Sequence, residues 1–253
     1  MAQPAVSVIT PTYRREALLR QQYLSLQKQT LTDFEWLILD DGPQSSSYFA
    51  GLTDPRVRYR HHAGRRLSIG AKRNWLAERA AGAVIAHFDD DDFYAADYLT
   101  EMTGRLGAGA DFVKLSGWFL YSEVYRKFAW WDTLLTRGLH FRFSRDPLSA
   151  AMFGVEQDRV FAENYLGFGF SYVYRKAVWQ AGRFPEEDFD EDLAFARKAL
   201  AGGARLDHFA DTMGLSLHVL RRDNASLCWP QYVLPDFLGE RLFGAGIEAM
   251  LRP

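Results

Sequence analysis

The stretch Ala83-Val84-Ile85-Ala86-His87-Phe88-Asp89-Asp90-Asp91-Asp92 runs from an apolar segment directly into four carboxylates. Residues 83–88 read as a short buried strand, and Gly82 before them marks a break. In open α/β sheets ligands bind at the carboxyl ends of strands, so the acids fall where a site belongs. Neighbouring carboxylates repel by roughly 1 kcal/mol or more at intermediate dielectric, and something should offset that. A hard divalent cation does so: Mg2+ or Mn2+ takes one or two carboxylates and completes its shell with water and substrate phosphates. A solvated acidic loop with Asp92 capping the next helix accounts for the run equally well.

Working outward, the first half alternates β-rich runs with helical stretches, which predicts a mostly parallel sheet with crossover helices. Residues 6–10 form a first strand stopped by Pro11. A helix over 15–29 follows, with Leu18, Leu19 and Leu26 on one side. Residues 34–39 form a second strand ending in the loop Asp40-Asp41-Gly42. Residues 57–61 form a third, Ser68 caps a helix over 69–81 that Gly82 ends, and a helix over 95–106 follows the acids. Thr12, Tyr13, Asp41 and Asp89 to Asp92 then all lie at carboxyl ends of strands. From 118 to 165 the pattern dissolves into an aromatic and basic stretch with Trp118, Phe119, Trp130, Trp131, Phe141 and Phe143, expected as an insertion over the sheet. Residues 170–174 return as a strand, 176–181 as a short helix, 190–201 as a longer one closed by Gly202-Gly203, and 215–220 as a strand.

The chain has 253 residues, 48% of them hydrophobic, enough for a full core. Its 30 basic and 32 acidic residues leave a net charge of -2, so no global field attracts nucleic acid. Cys228 is the single cysteine, which excludes an intramolecular disulfide, agrees with a reducing compartment and reads as an inert core residue. No signal-type segment and no bilayer-spanning apolar run stand out, so a cytoplasmic location is expected. The triplet Asn224-Ala225-Ser226 fits an N-glycosylation pattern but carries no weight in that compartment. Neither a P-loop nor a Gly-x-Gly-x-x-Gly after a strand is present, which argues against an NTPase or a dinucleotide oxidoreductase.

Four segments together carry a family resemblance: Val6-Ser7-Val8-Ile9-Thr10-Pro11-Thr12-Tyr13-Arg14, Leu37-Ile38-Leu39-Asp40-Asp41-Gly42, Lys72-Arg73-Asn74, and Phe88 to Asp92. In order and spacing the chain resembles the family 2 glycosyltransferases of the GT-A fold, well over about the first 115 residues and more loosely beyond. The resemblance implies an α/β, Rossmann-like, mixed but mostly parallel sheet flanked by helices, in a single domain with the aromatic insertion. Residues 1–115 would bind the nucleotide sugar, 116–220 the acceptor and the catalytic base, and 221–253 would form a C-terminal extension. The implied reaction is inverting transfer of a sugar from a nucleotide-diphosphate donor, UDP-linked by expectation, to a hydroxyl of a glycan, lipid-linked or other acceptor.

By the same resemblance Pro11, Thr12 and Tyr13 line the nucleotide pocket, and Asp41 accepts a ring N–H from the base. Asp89 lies near the ribose or metal, Asp91 sits on the metal, and Asp90 and Asp92 support them. Lys72 and Arg73 lie beside the diphosphate, though solvated surface charge would also explain them. A Glu-Asp pair opens a helix after a Gly-Gly-Phe-like turn in this family, and Ala181-Gly182-Arg183-Phe184 precedes Glu191-Asp192-Leu193 here. Asp192 is therefore the expected base and Glu191 the second choice; acids in a first helical turn also stabilise it without catalysis. Gly169, Phe170 and Ser171 fall on an acceptor-side loop. His218 would be a further metal contact, but Asp223 in Arg221-Arg222-Asp223-Asn224-Ala225-Ser226 stands where the family often has His, and a structural His218 is the other reading.

Two other classes compete. A nucleotidyltransferase could use the same acids and would release pyrophosphate; a non-catalytic carbohydrate-binding or nucleotide-binding protein of the fold would bind donor without turnover. The last segment, from Phe237 to Leu251, has apolar residues at mixed helical spacing. Docking on its own core is the default, with a second subunit (a homodimer) or the inner face of a membrane as the alternatives.

Overall fold

The computed structural model describes residues 3–144, 147–222 and 227–244. Along the chain lie β1 (Val6–Thr12), α1 (Glu16–Gln27), β2 (Phe34–Asp40), α2 (Ser47–Ala50), β3 (Val57–His61), α3 (Ile69–Arg79), β4 (Val84–His87), β5 (Phe93–Tyr94), α4 (Tyr98–Gly107) and β6 (Phe112–Ser122). Then come β7 (Lys127–Asp132), β8 (Gly138–Arg142), β9 (Ser149–Phe153), α5 (Val155–Val160), β10 (Val173–Arg175), α6 (Lys176–Ala181), α7 (Glu191–Ala201), β11 (Leu206–Ala210), β12 (Ser216–Leu220), β13 (Tyr232–Leu234) and α8 (Phe237–Phe243). The chain divides into two compact units: Met1–Asp90 with Ala96–Lys114 and Leu166–His208, and Asp91–Ala95 with Leu115–Tyr165 and Phe209–Pro253. The division falls in the middle of the aspartate run.

In the first unit the sheet order is β10-β4-β1-β2-β3, with the first residues of β6 beside β10. β1 is parallel to β2 and β4, β2 is parallel to β3, and only β10 runs against its neighbours. This is the mostly parallel, helix-flanked sheet that the alternating pattern implies. Every residue of β2 is buried, which is why Phe34-Glu35-Trp36-Leu37-Ile38-Leu39 reads as one block rather than as an alternation. α4 buries Tyr98, Leu99, Met102 and Leu106, one stripe of a helix.

Two local expectations are corrected. β1 does not stop at Pro11 but continues to Thr12, with Pro11 opposite Leu39 of β2. The pairing with β4 ends at Ile9, so beyond that point β1 is paired on one side and the missing proline N–H costs no ladder bond. The Ser68 hydroxyl does cap α3 by accepting from the Ala71 N–H at 3.2 Å, but the helix ends at Arg79. Gly82 has another reason to be glycine: a Cβ there would lie 2.7 Å from the Ser7 nitrogen.

Ser7, Glu35, the exposed Arg58 and the 81–82 backbone form a knot around buried Glu35 at the opposite end of the strands. Glu35 accepts from the Ser7 hydroxyl at 2.6 Å, the Ala81 N–H at 2.6 Å and Arg58 Nη1 at 2.8 Å. Burial pushes its pKa up, but these bonds outweigh burial and the net shift is downward.

In the second unit the longer part of β6 lies between β7 and β12, with β13 outside β7 and β5 beside β12, while β8 and β9 form a separate hairpin. The aromatic stretch therefore supplies sheet strands where an insertion over the sheet was expected. Trp118 pairs with Trp131 and Phe119 with Trp130. β6 is buried along almost its whole length, so it shows no period to read. Phe119, Phe128, Leu217 and Val219 form a core against which Leu238, Leu242 and Phe243 of α8 pack, the docking expected by default for the last segment as far as residue 244. The remainder of that segment, and Asp223 to Ser226, lie outside the described residues. No helix among the described residues is long and apolar enough to cross a membrane.

A carboxylate with a lowered folded pKa adds stability that is fully present above its unfolded value, about 4.3, and lost as pH falls through the folded value. Glu35→Gln should cost about 1–3 kcal/mol at neutral pH in urea unfolding, with the gap to the parent protein narrowing as pH falls below about 4.3.

Candidate active site

The first turn of α3 ties the first unit together. Gly70 approaches the chain before α7 so closely that a Cβ would lie 1.8 Å from the Pro185 oxygen, and its N–H donates to the Glu187 carbonyl at 3.0 Å. The three side chains that follow are buried. Lys72 Nζ donates to Asp41 Oδ1 at 2.8 Å and to the Thr12 carbonyl at 3.2 Å. Arg73 Nη1 donates to the Glu191 carboxylate, and Nη2 lies 3.5 Å from Asp89 Oδ1. The Asn74 amide donates to the Phe184 carbonyl and accepts from Phe184 N–H and Trp179 Nε1, holding the turn that precedes α7. Lys72 and Arg73, each 4% exposed, are thus neither surface charges nor open to solvent. Burial alone would lower the Arg73 pKa, but the charges of Glu191, Asp89 and Asp192 reverse that and lock the guanidinium on.

On the donor side, Asp41 is spent on both oxygens: Lys72 holds one and the Leu67 N–H the other, at 2.8 Å. Asp40 accepts from the Gly42 N–H and the Tyr59 hydroxyl, both at 2.8 Å. Two guanidinium groups lie over the Tyr13 ring, Arg66 at 4.8 Å and Arg14 at 5.2 Å from its centre. Pro11 and Thr12 end β1 beside them.

The aspartates separate by partner. Asp90 accepts from the Thr12 hydroxyl at 2.5 Å and from Arg15 Nη1 at 2.9 Å; burial nevertheless pushes its pKa up. Asp89 is half-buried beside Arg73. In the second unit, Asp92 receives His218 Nδ1 at 2.9 Å and the Val219 N–H at 2.9 Å. Burial opposes the imidazolium, but Asp92 outweighs it and raises the His218 pKa well above the ordinary range. The Nδ1 side of the His218 ring is thus taken by Asp92. Asp91 is half-buried. No group of three His, Cys, Asp or Glu side chains among the described residues is arranged as a metal cage. A Mg2+ or Mn2+ held by one or two carboxylates and substrate phosphates needs none, and the oxygen chemistry of Asp91 suits it.

α7 opens on Asp190, in a left-handed conformation with φ 56°. Glu191 is 5% exposed and committed to Arg73. Asp192 is half-buried; its Oδ2 accepts from the Gly169 N–H at 2.7 Å and Oδ1 from the Leu193 N–H at 2.7 Å. Residues 169–171 form a 3-10 turn rather than the expected strand, and β10 begins only at Val173. A Cβ on Gly169 would lie 2.9 Å from Asp192 Cβ and 2.9 Å from Arg73 Nη1. The Gly169 carbonyl lies 3.0 Å from His87 Nδ1, and the Tyr174 hydroxyl 3.1 Å from His87 Nε2. Burial, helped by the Arg73 charge, pushes the His87 pKa well down, so the ring is neutral. Nδ1–H then donates to Gly169 and Tyr174 donates to Nε2, a line of bonds from β10 through β4 to the turn that holds Asp192.

Sequence reasoning missed His87, Tyr174 and Arg15 as parts of this site. His87 was detectable as the polar residue in an otherwise apolar strand; Arg15 gave no signal beyond its place after β1.

Residues 7–159 match the model of glycosyl transferase family 2. The chain belongs to that family. EpsH of Bacillus subtilis, a glycosyltransferase by name, is 34% identical over 118 residues, which cover 45% of this chain and 33% of that protein. The Escherichia coli protein named UDP-Glc:alpha-D-GlcNAc-diphosphoundecaprenol beta-1,3-glucosyltransferase WfgD is 32% identical over 96 residues, 37% of this chain and 38% of that one. The chain thus spans 33% of the length of the one and 38% of the other. Residues 1–349 of S. aureus TarS, solved in complex with UDP-GlcNAc, share the fold with a TM-score of 0.60 at 18% identity, over 87% of this chain and 59% of that one.

Removing one member of a buried ion pair leaves the other uncompensated. Arg73→Met should therefore cost about 3–5 kcal/mol in chemical unfolding, and Glu191→Gln on that background should recover part of the loss. Equal, additive losses from the two substitutions would contradict this.

Proposed function

We propose that the protein transfers a sugar from a nucleotide-diphosphate donor to an acceptor hydroxyl with inversion, using Asp192 as the base. The carrying observation is the contrast between the two acids that open α7. Glu191 is buried and spent on Arg73, whereas Asp192 is half-buried and fixed in direction by the Gly169 N–H. A carboxylate oxygen has two lone pairs, so one amide donor leaves room for the acceptor hydroxyl. The bond bookkeeping is simple: Asp192 takes the hydroxyl proton, the freed oxygen bonds to the anomeric carbon, and the nucleoside diphosphate leaves with the electron pair.

The donor would lie at the carboxyl ends of β1 and β2, where Pro11, Thr12, Tyr13 and Asp41 meet in the first unit. Lys72 and Arg73 would act there by fixing Asp41 and Glu191 rather than by touching phosphate. A UDP-linked hexose or N-acetylhexosamine is supported by the ligand of TarS and the donor in the name of WfgD; the latter also supports a glycan on a diphosphate lipid as acceptor. Asp91 would hold the Mg2+ or Mn2+, with Asp89, half-buried beside Arg73, as the second candidate in the run. When bound, the cation neutralises charge on the departing diphosphate. A nucleotidyltransferase would release pyrophosphate instead, a direct discriminator.

A ligand that binds only the native state raises its melting temperature. UDP with Mn2+ should raise it for the parent protein and for Asp192→Asn, and the metal-dependent part should vanish in Asp91→Ala. Asp192→Asn should lose transfer by on the order of a thousandfold or more while keeping that response. No thermal response to any nucleoside diphosphate with metal would sink the proposal.

A further inference from the structure

β6 enters the sheet of the first unit through Phe112 and Val113, which pair with Tyr174 and Val173 of β10. Side chains alternate along a strand, so Phe112 and Lys114 share a face. α7 covers that face: the Phe112 ring lies 6.0 Å from Phe195, with Tyr172 at 4.7 Å and Tyr174 at 5.8 Å. Phe195 and Asp192 are three residues apart in α7 and so lie on one side of the helix. Lys114 therefore runs beneath the first turn of α7, and it is 0% exposed.

A lysine is almost never buried so completely unless something compensates it. Burial pushes its ammonium down to about 7, and the charge that opposes burial is that of Asp192. The other ionisable groups of this layer are already engaged: Glu191 with Arg73, His87 with Tyr174 and Gly169, and the Tyr172 hydroxyl with the Leu166 carbonyl.

We infer that Lys114 is a positioning residue for the transfer reaction, the buried counter-charge that holds the Asp192 carboxylate from below while the Gly169 N–H holds it from the side. This rests on Asp192 being the base. It gives the fully buried cation a use that packing does not: a counter-charge to the carboxylate that takes the hydroxyl proton. Methionine has nearly the same shape without the charge, so Lys114→Met isolates the electrostatic role.

A double-mutant cycle on unfolding tests the pairing without any substrate. Replacing a buried lysine relieves a cost that is greatest when its partner is absent. Lys114→Met should therefore raise the melting temperature more in the Asp192→Asn background than in the parent. Because the folded amine pKa is lowered, the charge is present below about pH 7 and the cost fades as pH rises toward about 10.4. The difference between backgrounds should disappear as pH rises to about 7, above which the folded amine is neutral in both, and equal effects in both at about pH 6 overturn the inference.

Kinetics supplies the second arm. Lys114→Met should lower kcat on the order of tenfold or more at about pH 6.5 with the donor KM unchanged, and the ratio to the parent should narrow as pH rises. A ratio constant with pH, or an unaltered kcat beside an inactive Asp192→Asn, overturns the role of Lys114 alone. Full activity in Asp192→Asn overturns the base assignment instead, so the two failures are distinct.

Discussion

One buried guanidinium holds together the end of the first unit where the proposed base lies. Arg73 draws Glu191 from the start of α7 and Asp89 from the end of β4, two points about a hundred residues apart in sequence, onto a single group with almost no access to water. Burying that much charge is unfavourable unless each member is paired and hydrogen-bonded. Once paired, none can move without exposing the others, so the arrangement is rigid for the same reason that it is costly. The neighbouring residues of α3 extend the constraint, Lys72 to the end of β2 and Asn74 to the turn before α7.

Asp192 inherits its position from this core. Glu191 beside it is anchored, so the helix start is fixed, and Gly169 can come within contact distance only because it has no side chain. Neutral His87 holds the carbonyl of that glycine and passes the constraint to Tyr174 in β10. Lys114, fully buried in the first unit, is the counter-charge proposed for Asp192. A carboxylate held by backbone amides presents a defined lone pair, and proton transfer depends on such geometry.

In the second unit the same rule works on a smaller scale. Asp92 and His218 form a buried pair, and the carboxylate raises the histidine pKa against the cost of burial. Adjacent acids in one run thus have unlike roles. Asp90 is a hydrogen-bonded support, Asp89 and Asp92 are members of ion pairs, and Asp91 is the one proposed for a cation.

The sequence by itself determined the parallel sheet, the strand ends that carry Thr12, Asp41 and the aspartates, and the Ser68 cap. Those follow from local period, capping chemistry and motif order, which act over a few residues. It did not reveal β6 and β7, because a strand buried on both faces has no alternation to read, nor the burial of Lys72 and Arg73, because a basic side chain looks the same in sequence whether it meets water or a carboxylate. His218 reads as a metal contact or as a structural residue for the same reason, and its pairing with Asp92, 126 residues away, shows only in the fold. What tertiary structure alone decided is which charges meet, since pairing is a matter of distance and desolvation between segments remote along the chain.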